Sequence, residues 1–156
     1  MQRRFNQLDD VWPAGLARRL GAMIYDAFLV AAIWILLTVL HVAFVRYVMG
    51  LGPEEVGAGE AQRLVLQLLL LAGAFVFFAF FWMRGGMTLG MQAWRLRVQT
   101  LDGYTITQVQ CLVRYLVAWV SLAAFGLGYL WILFDREGRS WPDIASGTRV
   151  VVLPKR

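Results

Sequence analysis

Leu64 to Met83, LVLQLLLLAGAFVFFAFFWM, contains no charged residue. Its length matches the roughly 20 apolar residues a helix needs to cross the hydrocarbon core of a bilayer, so the run dictates a spanning helix. A second run, about residues 20–45, is nearly as apolar but contains Asp26, with Arg18 and Arg19 just upstream. From Ala27 to Val45 it holds twelve Leu, Ile, Val or Phe residues. These contribute about −4 to −7 kcal/mol toward insertion, against about +2.5 to +3.5 kcal/mol for one ionised carboxylate. The run therefore inserts, and Asp26 must face protein, water or a transported species instead of lipid.

A third run, about residues 111–134, is less uniform: Arg114 stands near its start and Gly126 and Gly128 interrupt it. The composition agrees with a membrane chain. Hydrophobic residues make up 60% and charged residues 16%, whereas about a quarter of a soluble domain is charged. The first apolar stretch is longer than the roughly 7–15 residues of a cleavable signal, so it reads as a permanent helix. The lone Cys111 has no partner for a disulfide or a metal site and reads as a packing residue.

Charge placement sets the expected orientation. Arg3, Arg4, Arg18 and Arg19 precede the first helix; the first loop mixes Arg46 and Arg63 with Glu54, Glu55 and Glu60; the second loop carries Arg84, Arg95 and Arg97. The positive-inside rule then puts the N-terminus and second loop in the cytoplasm. The tail, with Arg136, Arg139, Arg149, Lys155 and Arg156, is also basic, yet three full crossings would place it outside. Either the third run re-enters and returns at its glycines, as backbone surrounded by protein or water can, or it crosses once and leaves a basic tail outside. The tail's charge favours the cytoplasmic side.

Trp94 to Thr100 (WRLRVQT) alternates apolar and polar residues and is followed by Asp102-Gly103, the signature of a strand entering a hairpin. Thr148 to Leu153 is a second β-branched run that pairs with it if both lie on one side of the membrane. Thr107 is placed to cap a helix from Gln108, whose Val109, Leu112, Val113, Leu116 and Val117 make one apolar face. Trp82, Trp94, Trp119, Trp131 and Trp141 lie near segment ends, where indoles favour headgroups. The fold class expected is an all-α integral membrane protein with two transmembrane helices, a third hydrophobic segment that crosses or re-enters, and a small interfacial β-hairpin.

The stretches ARRLGAMIYD, GGMTLGMQAWRLRVQTLDG and FDREGRSWPDIASGTRVVV resemble, in order and spacing, the RDD family of prokaryotic membrane proteins, named for one arginine and two aspartates. The resemblance runs from about Leu16 and implies residues 1–15 as a cytoplasmic N-terminal segment, 16–153 as the membrane domain and 154–156 as a tail. It maps the family's arginine to Arg19, the aspartate inside the first helix to Asp26 and the second aspartate to Asp143. Gly86, Thr88 and Gly90 match the family's G-x-T-x-G-K pattern, although Met91 replaces the basic residue. The resemblance implies a multi-pass protein of the prokaryotic inner membrane that transports an unidentified ligand, with cation/proton exchange associated with some members.

Arg19 and Asp26 are seven residues apart, hence on one helix face but about 10 Å apart along the axis. A third group or water must bridge them. Asp143 and Arg149 flank a Ser146-Gly147 turn, and a cytoplasmic tail brings Asp143 to Arg19, giving an expected network of Arg19, Asp26 and Asp143. Secondary candidates are Gly86 and Gly90, read as a bend at the membrane surface; Arg114, read as snorkelling to headgroups or binding an anionic lipid; and Arg149.

His41 lacks companion ligands, and no metal cluster or cofactor fingerprint occurs, so neither a metal nor a cofactor is expected. With no nucleophile and base pair either, the chain does not read as an enzyme. Its net charge of +5, clustered beside membrane segments, suits the lipid bilayer and anionic lipids and not nucleic acid. Two functions stay open: exchange of a proton for a cation at Asp26, with a homo-oligomer enclosing the path, or a non-transporting assembly module that binds a membrane protein partner and whose Arg/Asp network is structural.

Overall fold

The computed structural model describes residues 1–6 and 8–155; Arg156, counted above in the basic tail, lies outside the described residues. In chain order the elements are β1 (Trp12–Pro13), α1 (Leu16–Ala43), α2 (Glu60–Gly85), α3 (Leu89–Ala93), β2 (Leu96–Thr100), α4 (Gln108–Ala123), α5 (Leu127–Leu130), α6 (Trp141–Ser146) and β3 (Thr148–Val152). A π-helical turn, Phe44–Val48, extends α1, and a 3-10 turn, Trp131–Leu133, follows α5. Two helices, Leu16–Val48 and Glu60–Gly85, are long and apolar enough to cross a membrane. The chain is an α-helical membrane protein with a small sheet.

Its contacts form two units. Residues 27–77 hold most of both long helices and the loop joining them. Within this unit the Trp34 indole donates to the Leu70 carbonyl at 2.9 Å, and Leu37 lies where a side chain on Gly73 would stand. The outward surface is greasy: Phe28, Ile35, Val39, Leu68 and Val76 are all exposed. In water such a surface would be an aggregation hazard; in lipid it needs no cover.

Residues 1–26 and 78–156 form the other unit, built on an antiparallel sheet of order β1-β3-β2. Leu96 faces Val152, Val98 faces Val150 and Thr100 faces Thr148 on one side, while Gln99 faces Arg149 on the other. Leu96, Val98, Val151 and Val152 are almost fully buried, so this sheet is the unit's core.

No return strand follows the Asp102-Gly103 turn among the described residues; β2 pairs instead with the β-branched run of the tail, the other partner expected for it. After the turn at Gly103 the chain makes only an isolated bridge, Tyr104 to Arg4, because Thr107 caps α4 three residues later and leaves no length for a return strand. The partner of β2 comes from the tail, and Trp12-Pro13 completes the sheet.

That pairing also decides the path of the third run. Its two parts meet at a 105° bend, where Phe125 and Gly126 both take positive φ (57° and 77°), a region that costs little at glycine. A single crossing would put β2 and β3 on opposite sides of the bilayer, yet they pair over five residues. The run therefore bends between two strands of one sheet, as expected of a segment that returns to the side it left. Along α4, Val109, Leu112, Leu116 and Val120 form an exposed apolar stripe, as expected of a helix lying in an interface.

Candidate functional site

Asp143 is the centre of the most buried charged cluster. Ser140 and Pro142 start α6 and place Asp143 in its first turn, where the Oδ2 atom accepts from the Ser140 backbone N–H at 3.1 Å. Arg19, at the start of α1, donates from Nη1 to the same Oδ2 at 2.5 Å. Arg114, on the inward face of α4, donates from Nη1 to Oδ1 at 2.6 Å. The three side chains are 0%, 6% and 8% exposed for Asp143, Arg19 and Arg114.

Neutral acceptors complete the cluster. Arg19 also donates from Nε to the Ala14 carbonyl and from Nη2 to the Gly138 carbonyl, both at 3.0 Å. Arg114 Nη1 further donates to Thr148 Oγ1 at 2.6 Å, and its guanidinium lies 5.2 Å from the Trp82 ring. Burial pushes the Asp143 carboxyl up, but the guanidiniums of Arg114 and Arg19 outweigh it and hold the group below the usual carboxylate range. Two positive charges on one carboxylate make Asp143 a fixed anion that ties α1, α4 and α6 together.

Asp26 is bound differently. It is 4% exposed, and its Oδ2 accepts from the Thr88 hydroxyl at 2.5 Å while Oδ1 accepts from the Gly90 N–H at 2.9 Å. Thr88 has this position because it is the N-cap of α3, its Oγ1 also accepting from the Met91 N–H at 3.1 Å. Gly90 has no room for a side chain: a Cβ there would collide with the Ala22 carbonyl oxygen and come within 2.9 Å of the Asp26 carboxyl carbon. No basic side chain pairs with Asp26 among the described residues.

The family model for the RDD family matches residues 13–147. The chain belongs to the RDD family. No curated protein and no solved structure matches it.

In this RDD protein the single expected network of Arg19, Asp26 and Asp143 is two sites. The structure brings Arg19 to Asp143, while Asp26 turns to Thr88 and Gly90, because its place two turns further along α1 faces the α3 cap. Arg114 does not snorkel: it is buried, with Asp143 Oδ1 and Thr148 Oγ1 as acceptors for its guanidinium. Gly86, with φ of 69°, accepts at its carbonyl from the Val98 N–H and does bend the chain after α2, whereas Gly90 gives close approach. Arg149 is part of neither cluster and projects from β3 opposite Gln99.

Ser140 and Thr148 were not expected at a site, and Thr88 was named only within the glycine-rich pattern. For Thr88 and Ser140 the signal was the capping pattern, a threonine or serine ahead of a short helix, and both of these starts lie against a buried carboxylate. Arg114 carried a signal of its own, since a charge on the inward face of an apolar helix requires an acidic or carbonyl partner.

Proposed function

We propose that this RDD protein exchanges a proton for a small cation at Asp26 and is not an enzyme. The observation that carries this reading is the contrast between the two buried aspartates. Asp143 is neutralised by two arginines, whereas Asp26 has only a hydroxyl and a backbone amide, so a proton or a cation arriving there breaks no ion pair. An intramembrane carboxyl without a fixed counter-charge is costly, and residues kept at that cost mark ion pathways and proton relays. Thr88 Oγ1 and the Asp26 oxygens offer hard oxygen donors suited to a small cation. Two spanning helices enclose little space, so a homo-oligomer supplies the rest of the path.

The orientation that fits is sheet side in the cytoplasm of a prokaryotic inner membrane. Arg3, Arg4, Arg84, Arg95, Arg136 and Lys155 all belong to the unit that contains the sheet, and basic residues gather on the cytoplasmic face. Anionic lipids are the matching partners. In proteoliposomes, Asp26→Asn should abolish cation-driven changes in internal pH while the protein keeps its folded size and melting temperature. Full flux in that variant would remove Asp26 from the mechanism.

A second reading rests on the saturation of the Arg19, Asp143 and Arg114 cluster, which suits a rigid assembly module that binds a membrane protein partner. It expects no flux from purified wild-type protein under any cation gradient, together with a partner recovered in stoichiometric amount by crosslinking.

A further inference from the structure

A cleft of about 370 Å³ opens beside the sheet, with Pro13 and Val151 among its apolar walls and Arg136, Arg139 and Arg149 among its charged ones. Arg139 is held by Asp135 at 3.2 Å and by Glu137 at 3.3 Å, and Arg19, which also reaches the cleft, is held by Asp143. Arg136 and Arg149 have no acidic partner among the described residues. The Nε of Arg149 is moreover buried with no hydrogen-bond partner. A buried guanidinium nitrogen left unpaired is costly, and an anion held by the rest of the same guanidinium offsets part of that cost. The neighbouring charge adds to the effect, since burial and Arg149 together push the Arg97 guanidinium down.

The cleft also has a position. Leu133 and Phe134, 65% and 78% exposed, end the returning hydrophobic run immediately before Asp135 and Arg136, and β1 leads directly into the first spanning helix. Apolar side chains followed within two residues by an arginine mark the level where acyl chains give way to headgroups. We propose that the cleft binds a phosphate group, with Arg149 and Arg136 donating to its oxygens. Guanidinium is the donor best matched to phosphate, through paired N–H groups. The proposal gives the anionic-lipid partnership a specific site and depends on the membrane placement, not on exchange at Asp26.

The test uses the full chain. Binding is measured by native mass spectrometry in nanodiscs of phosphatidylcholine with or without phosphatidic acid, and by thermal shift in detergent with inorganic phosphate. Arg136→Gln with Arg149→Gln should weaken phosphatidic acid retention about tenfold or more. Arg3→Gln with Lys155→Gln, which removes the same charge elsewhere in the unit, should change it little, and Arg149→Lys should keep part of it. Stabilisation by inorganic phosphate that the cleft variant loses assigns the site to free phosphate; retention of lipid alone assigns it to a headgroup. Equal losses in the cleft and control variants, or no binding of either probe by the wild type, would overturn the proposal. The cleft variants' melting temperature without ligand shows whether they fold.

Discussion

Arg114, on α4, closes a 2.6 Å ion pair with Asp143 on α6, and the same nitrogen bonds Thr148 at the start of β3. One guanidinium thus holds the first half of the bent run to the α6 and β3 elements that follow it. Removing it leaves the fully buried Asp143 carboxylate with Arg19 as its one guanidinium, and a hydrogen bond to a charged group is worth about 1.5–3 kcal/mol. Arg114→Leu should therefore lower the melting temperature in detergent sharply. Asp143→Leu leaves both Arg19 and Arg114 without their carboxylate, whereas Arg114→Leu combined with Asp143→Leu leaves only Arg19 so, and the double variant should lose less than the sum of the two single changes. An additive loss would argue against a coupled cluster.

The same cluster sets the response to acid. The Asp143 carboxyl is held below its ordinary value in the folded chain, so on lowering the pH the unfolded chain takes up its proton first. The stabilisation is fully present above the ordinary carboxylate value of about 3.9 and is lost as pH falls through that value toward the folded one. Melting temperature followed downward from pH 6 should fall steeply below about pH 4 in the wild type. Asp143→Asn should start lower and lose less over the same window; parallel curves would count against this assignment.

At the second site the steric prediction is the sharpest. Gly90→Ala sets a methyl against the Ala22 carbonyl and the Asp26 carboxyl, and overpacking of this kind costs about 1–3 kcal/mol. Thr88→Val keeps the volume but removes both the bond to Asp26 and the α3 cap, each worth roughly 1 kcal/mol. Thr88→Ser should keep most of both. Ranking the three variants by melting temperature, with serine closest to wild type, checks whether the hydroxyl or the methyl carries the effect.

Much of this arrangement could be read from the residues, for physical reasons that differ from one element to the next. Leu64 to Met83 can satisfy its backbone in lipid only as a helix, so the span needs no tertiary information. Thr107 caps α4 through a local bond, and the alternation of Trp94 to Thr100 follows from a half-buried strand. Alternation marked both β2 and the β-branched tail run that pairs with it, whereas Trp12-Pro13 has no alternation to mark it, which is why its addition to the sheet was not legible. Likewise the burden on Asp26 was visible as a cost, but its partners Thr88 and Gly90 lie more than 60 residues away and depend on how α3 docks. An arginine near a segment end has the same sequence signature whether it snorkels or turns inward; Arg114 turns inward only because Asp143 is there.

The return of the third run makes a prediction about sidedness that needs no functional assay. β2 and β3 pair, β1 pairs with β3, and each strand leads into a different part of the chain. Residue 9, ahead of β1, and residue 155, beyond β3, are therefore expected to be labelled from the same compartment, and residue 55, in the loop between the two long helices, from the other. Cys111 is fully buried, so single cysteines can be introduced without removing it. A membrane-impermeant thiol reagent applied to intact cells should treat Asp9→Cys and Lys155→Cys alike and Glu55→Cys oppositely. Labelling of Lys155→Cys together with Glu55→Cys, and not with Asp9→Cys, would require the third run to cross the membrane and would break the sheet on which both buried aspartate sites are assembled.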